Sequence, residues 1–234
     1  MKRPDYIPDD PEIAVVESSD ELFSRRRARH ETMILLPRPI KGCFNDLAIW
    51  LLKQNPERDT LVSSKQSFMT TIYRVEHLDL FAKDHCMDWP DELALIRADM
   101  RLMQERTGVT AELRVVRERG YHPETYEFHQ DGGNYRPRLH DSDRTMCAYN
   151  GPVTECLLTA NAVALPGCTQ DLNKFYKIQG ASTFQPGIGD IWRQTCMDGG
   201  QALIHRAVHI PPANLVHPWK GARPWNPPRL LAVC

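Results

Sequence analysis

The chain has 234 residues, with 29 Lys+Arg against 30 Asp+Glu and a formal charge of −1. That length suits one domain with an extension, and the balanced charge removes any bulk argument for nucleic acid or an anionic membrane as partner. Seven cysteines, an odd number with no CxxC pair, argue against a zinc ribbon and a disulfide framework. The N-terminus has no signal-peptide apolar run, and no stretch reaches membrane-spanning length, so the expectation is a soluble, reducing, cytoplasmic protein.

Residues 1–40 are rich in proline and charge and read as an N-terminal arm, with a short strand at Glu12–Val16 and a short helix over Asp20–Arg29. The cluster Arg25–Arg29 is the one local basic run, and a solvated segment is its plain reading. Residues 41–234 read as a single catalytic domain, helical over 41–108 and β over 109–234. Cys43–Gln54 has the spacing of a helix with one broad apolar face. Phe68–Val75 fits a strand or a helix edge. Asp91–Thr107 is the clearest helix, with Pro90 and acids in its first turn, a Leu/Ile/Met stripe, and Gly108 at its end.

After Gly108 the period changes from helical to alternating. Thr110–Arg117, Thr125–Gln130, Arg144–Asn150, Val153–Thr159, Gly189–Arg193, Gln201–Ile210 and Arg229–Cys234 all read as short strands, while Leu165–Ser182 reads as polar and irregular. Helices followed by many short strands predict an α+β chain. Its second half is expected to be an antiparallel sandwich or jelly roll, with the helices packed on one outer face.

His129-Gln130-Asp131 closes the Thr125–Gln130 strand. Residues i and i+2 of a strand share a face, so both side chains would project together. His205, in a later strand, is the candidate third ligand. Two histidines and one carboxylate on one face of an octahedral metal leave three open positions, the arrangement of non-haem Fe(II) oxygenases. The motif by itself is weak, because a chain of this composition holds roughly one His-x-Asp by chance. A second copy, His77-Leu78-Asp79, falls in the helix-rich half, where i and i+2 diverge, and is read as a decoy. The competing reading of the first copy has two ordinary hydrogen-bonded histidines and an Asp131 that caps the Gly132-Gly133 turn. His209 follows His205 at i+4, which in a strand is about 13 Å, too far for one metal. The chain has no HExxH, no HxH, no G-x-S-x-G elbow and no phosphate-cradling glycine loop.

From His129 to Cys234 the chain resembles the double-stranded β-helix Fe(II)/2-oxoglutarate dioxygenases, in which an HxD motif precedes a distal His and a late Arg. More narrowly, it resembles the bacterial family domain of unknown function 1826. The ordered motifs are His129-Gln-Asp131, Arg144–Tyr149, Gly151-Pro-Val-Thr154-Glu155, Gly189-Asp190, His205-Arg206 and Arg229-Leu-Leu. The resemblance implies a double-stranded β-helix core, iron bound by His129, Asp131 and His205, and 2-oxoglutarate as cosubstrate. Arg229 would then pair with the distal carboxylate, with Tyr149 or Arg144 also touching the cosubstrate. Arg223, in Gly221-Ala222-Arg223, is the alternative anchor, but it runs into Pro224. Asn134, Tyr135, Arg138 and Trp192 are the expected substrate contacts. Arg138 and Arg193 suggest a small acidic substrate, such as an amino acid. Dioxygen would be consumed in hydroxylation, desaturation or cyclisation. The alternatives are an oxygenase of this fold that does not use 2-oxoglutarate, and a non-enzymatic β-sandwich binding module.

Overall fold

The computed structural model describes residues 3–54, 68–83, 88–119, 128–130, 143–151, 153–164, 173–196, 202–206 and 228–234. Asp131, Asn134, Tyr135, Arg138, His209 and Arg223 lie outside them. In chain order the elements are β1 (Ile13–Val15), α1 (Ser19–Ser24), β2 (Met33–Leu36), α2 (Phe44–Gln54), β3 (Phe68–Tyr73), α3 (Val75–Phe81), α4 (Pro90–Thr107), β4 (Glu112–Arg119), β5 (Phe128–Gln130), β6 (Asp143–Ala148), β7 (Glu155–Leu157), β8 (Ala162–Ala164), β9 (Asn173–Lys177), β10 (Ile191–Thr195), β11 (Ile204–Arg206) and β12 (Arg229–Val233).

The strands form two sheets. One runs β1-β2-β10-β6-β12-β4-β3 and the other β7-β11-β5-β9-β8. All pairings are antiparallel except β1 with β2. From β4 to β7 the chain changes sheet at every strand, stays in the smaller sheet through β9, then alternates again from β10 to β12. The strands β4, β5, β6, β7, β10, β11 and β12, with the segment at Phe184 that bridges β7 at Cys156, thereby wind as a double-stranded β-helix of jelly-roll type, and β8 and β9 are an antiparallel pair added beside β5. The fold is α+β, with this core.

β12 shows why the larger sheet sits where it does. All five of its residues are buried, the signature of a strand covered on both faces. Leu230 and Ala232 join the core beneath the helices, with Leu47, Leu51, Ile96 and Met100. Leu231 and Val233 join the core between the sheets, with Trp192, Met146, Cys156 and Leu203. The helices therefore pack on the outer face of the larger sheet, as the sequence suggests. α4 starts on Pro90 with Asp91 and Glu92 in its first turn and ends on Gly108 at φ +69, a left-handed cap that glycine adopts without strain.

A polar knot ties these layers together. Arg38 donates two bonds of 2.6 Å to the Asp99 carboxylate on α4, and the Tyr149 hydroxyl donates to the same group at 2.9 Å. Arg38 also bonds Gly189 O through Nε and Asp190 Oδ1 through its backbone N–H. Burial works against the Arg38 charge, but Asp99 beside it holds the guanidinium firmly protonated. Burial pushes the neighbouring Cys147 thiol up to about 12, so it packs as a neutral group.

The first forty residues, read as an arm, are built into the fold. β1 and β2 edge the larger sheet, and Ile7, Ile13, Val16, Leu22 and Met33–Leu36 are all buried. The Arg25–Arg29 run is turned partly onto the protein: Arg25 pairs with Glu31 at 2.7 Å and Arg27 lies 3.5 Å from Asp143.

Candidate metal and cosubstrate site

β5, β11 and β7 lie side by side in the smaller sheet, and their register aligns three side chains. His205 is directly opposite His129 on one side and Cys156 on the other. Directly paired residues point to the same face. Phe128, Leu157 and Ile204 point to the other face, where they form their own apolar cluster. Cys156 and Leu203 belong to the core between the sheets. His129, His205 and Cys156 therefore face inward, toward the larger sheet.

The two imidazoles are close, with ring centroids 4.7 Å apart and planes tilted by 52°. His205 is buried and its Nδ1 lies 3.1 Å from Leu203 O. A bond from Nδ1–H to a carbonyl would set the tautomer that leaves Nε2 as the ligating atom. Two imidazoles on adjacent strands are a donor set suited to Fe(II), Zn(II) or similar ions. Among the described residues no group of three metal-ligating side chains is assembled, and the third expected ligand, Asp131, lies outside them. Cys156 is fully buried, which with the nearby Glu155 holds its thiol well above the usual range despite the opposing pull of Arg229. It is a neutral wall beside His205.

That pull places the Arg229 charge near Cys156. Arg229 shares a face of β12 with Leu231 and Val233, so it too points between the sheets, and it is 8% exposed. Its Nη2 donates to Thr154 Oγ1 at 3.0 Å. Asn150 fixes the backbone on either side of it: Nδ2 donates to Pro228 O at 2.8 Å and Oδ1 accepts from Leu230 N at 2.6 Å. Asn45 in the first turn of α2 holds the same amide at 3.0 Å. Gly151 makes the turn at φ +69, and a Cβ added there would lie 3.9 Å from the Arg229 side chain. The Tyr149–Glu155 motif thus has a local logic. Tyr149 anchors to α4, Asn150 clips β12, Gly151 turns and Thr154 holds Arg229. Glu155, on the outer face, binds Arg206 at 2.7 Å and Thr183 at 2.6 Å. Burial pushes the Glu155 carboxyl up, yet these bonds bring it below its ordinary value.

The other expected contacts separate. Tyr149 is not brought to the histidines. It faces the helices, stacks on Phe44 at 5.6 Å and is fully buried beside Asp99, because β-strand alternation sends it to the opposite face from Met146 and Ala148. Trp192 is fully buried in the inter-sheet core, with Nε1 bonded to Gln194. Arg144 shares the inner face of β6 but lies at the end opposite Asn150, about 20 Å along the strand from the Arg229 end. Arg193 is used structurally, by Leu22 O and Asp143. The second His-x-Asp is indeed helical: His77 Nδ1 accepts from Arg74 N, and Asp79 pairs with Arg97 and Arg101.

Sequence reasoning assigns no role to Asn150 or to Lys174. Lys174 on β9 is paired with His129 in register, so it stands on the inner face next to that ring. It falls in the stretch read as irregular, because Asn-Lys-Phe-Tyr-Lys puts one cation on each face and shows no apolar alternation.

No family model matches the chain, and no curated protein matches it. Among solved structures it is similar to the thymine-7-hydroxylase of Neurospora crassa. A C-terminally truncated apo form shares 12% identity at TM-score 0.39, over 100% of this chain and 98% of that one. The full-length form in complex with alpha-KG and 5-formyluracil shares 10% identity at TM-score 0.41, over 99% of this chain and 86% of that one. The strand order, not this likeness, identifies the double-stranded β-helix. No described helix is long and apolar enough to cross a membrane.

Proposed function

We propose that the protein is a non-haem Fe(II)- and 2-oxoglutarate-dependent oxygenase acting on a small molecule. The observation that carries this is the in-register His129–His205 pair, 4.7 Å between rings, facing the same inter-sheet space as a buried, clamped arginine. His129, His205 and Asp131 would hold the metal. Arg229, steadied by Thr154, would receive the distal carboxylate of 2-oxoglutarate, for which a planar guanidinium is suited. When bound, the metal and cosubstrate would supply the oxidising chemistry that consumes O2. The chain's own part is to orient. The Leu203 carbonyl sets the His205 ring, Asn150 fixes the arginine's backbone, and Cys156 and Leu231 keep the floor apolar, which strengthens a buried charge pair. The narrower kinship with domain of unknown function 1826 rests on the ordered motifs alone. A cytoplasmic location is proposed from the cysteine usage and composition.

The test is O2-dependent conversion of 2-oxoglutarate to succinate by anaerobically purified protein reconstituted with Fe(II). Succinate formation supports the reading. O2 consumption without succinate supports an oxygenase that does not use 2-oxoglutarate. Failure to retain Fe(II) supports a binding module.

A further inference from the structure

The row of inward-facing side chains does not stop at the histidines. Across the smaller sheet it reads Cys156, His205, His129, Lys174. Two residues along β9 from Lys174, on the same face, is Tyr176, which is paired with Val163 on the edge strand β8. Their neighbours Phe175 and Ala162 pack on the outer cluster, so by alternation Tyr176 and Val163 look the other way. Tyr176 is 58% exposed and Val163 53%, although both are large apolar groups in regular strands. A cation beside the metal-ligand candidate thus adjoins an open aromatic and aliphatic step at the sheet edge. Arg229 flanks the histidines on the β7 side and Lys174 on the β9 side, giving two separate cationic positions.

We propose that the β8–β9 edge is the primary-substrate subsite, taking a small anion with a planar or apolar body. Lys174 receives the anionic group, and Tyr176 and Val163 receive the body. This rests on the oxygenase reading and assigns its substrate class. It also places the acidic-substrate contact at Lys174, which stands in the inward row beside His129. An ammonium on a flexible stem suits a point contact to a carboxylate or phosphate, and a tyrosine ring suits a flat partner. A substrate so held would present its body next to the His129 ring, since diagonal neighbours across paired strands lie only about 7–8 Å apart.

The test is calorimetry on the Mn(II)-loaded full chain, with and without 2-oxoglutarate, titrated with benzoate, phenylacetate and 4-methylpentanoate and with their neutral amides. At least one acid is expected to bind wild type while its amide does not. Lys174→Met should weaken that acid by about tenfold or more, the scale of one charge-assisted contact, whereas Lys174→Arg should stay within about threefold. Tyr176→Ala should weaken acids with larger bodies, and none of the variants should alter 2-oxoglutarate affinity. The proposal is overturned if no acid binds wild type, if amides bind as well as acids, if Lys174→Met is indifferent, or if it lowers 2-oxoglutarate affinity instead. Absence of 2-oxoglutarate binding by wild type would sink the oxygenase reading, while the acid titration without it still reports on Lys174.

Discussion

Arg229→Ala is expected to weaken 2-oxoglutarate binding to the metal-loaded protein by about 100-fold or more, and to remove succinate formation with it. A buried carboxylate left without its cation loses a contact on the order of 3 kcal/mol, which is a factor of that size. Arg229 is nearly buried, Thr154 holds one end of its guanidinium, and Asn150 grips the backbone before and after it. Arg229→Lys keeps the charge and loses the fork, so it should recover only part of the affinity. Thr154→Ala should cost about tenfold, since it frees the guanidinium without removing it. Far-ultraviolet circular dichroism should be unchanged in all three, because the β12 ladder to β4 and β6 is made by backbone groups. Equal 2-oxoglutarate affinity in wild type and Arg229→Ala would move the anchor elsewhere.

Asp99→Ala is expected to lower the melting temperature by on the order of 10 °C. Asp99 is the only described carboxylate bonded to the Arg38 guanidinium, and the Tyr149 hydroxyl donates to it as well. Removing it leaves a mostly buried cation and a buried hydroxyl without that acceptor, a loss of about 3 kcal/mol after allowing for the partial exposure of Arg38. In a chain of this size each kcal/mol moves the midpoint by about 2–4 °C. Asp99→Asn retains an acceptor and should lose about half as much. A thermal scan in which Asp99→Ala melts with wild type would show that the knot contributes nothing to stability.

Much of this architecture is written plainly in the sequence. The change of period at Gly108 marks where the last described α-helix ends and the run of strands β4 to β12 begins, and α4 carries its start and stop in Pro90 and Gly108. The late strands β6, β10 and β12 show because they are apolar or alternating. β2 is hidden by the proline-rich surroundings that make residues 1–40 read as an arm, yet Met33–Leu36 is a continuous apolar run buried on both faces. β8 and β9 are hidden for the opposite reason: at this side of the smaller sheet one face, with Tyr176 and Val163, is open to solvent, and only Ala162 and Phe175 on the other face pack on an apolar cluster, too little for an apolar alternation to show.

The candidate site divides in the same way. His129 and His205 are legible because strand period and motif order agree, and the register then places them opposite each other. Tyr149 is misplaced by its motif because adjacency says nothing about which face a side chain takes, and one residue's step reverses it. Asn150 is invisible because its work is on backbone groups 78 and 80 residues away in sequence, a pairing that only the closed sheet creates.

Anaerobic Fe(II) titration of wild type and of the His129→Ala/His205→Ala variant decides whether the two histidines hold a metal. Wild type should retain one equivalent, and the variant should bind at least about 100-fold more weakly while keeping its secondary structure. Wild type that holds no Fe(II), or a variant that holds it as tightly, would contradict the account.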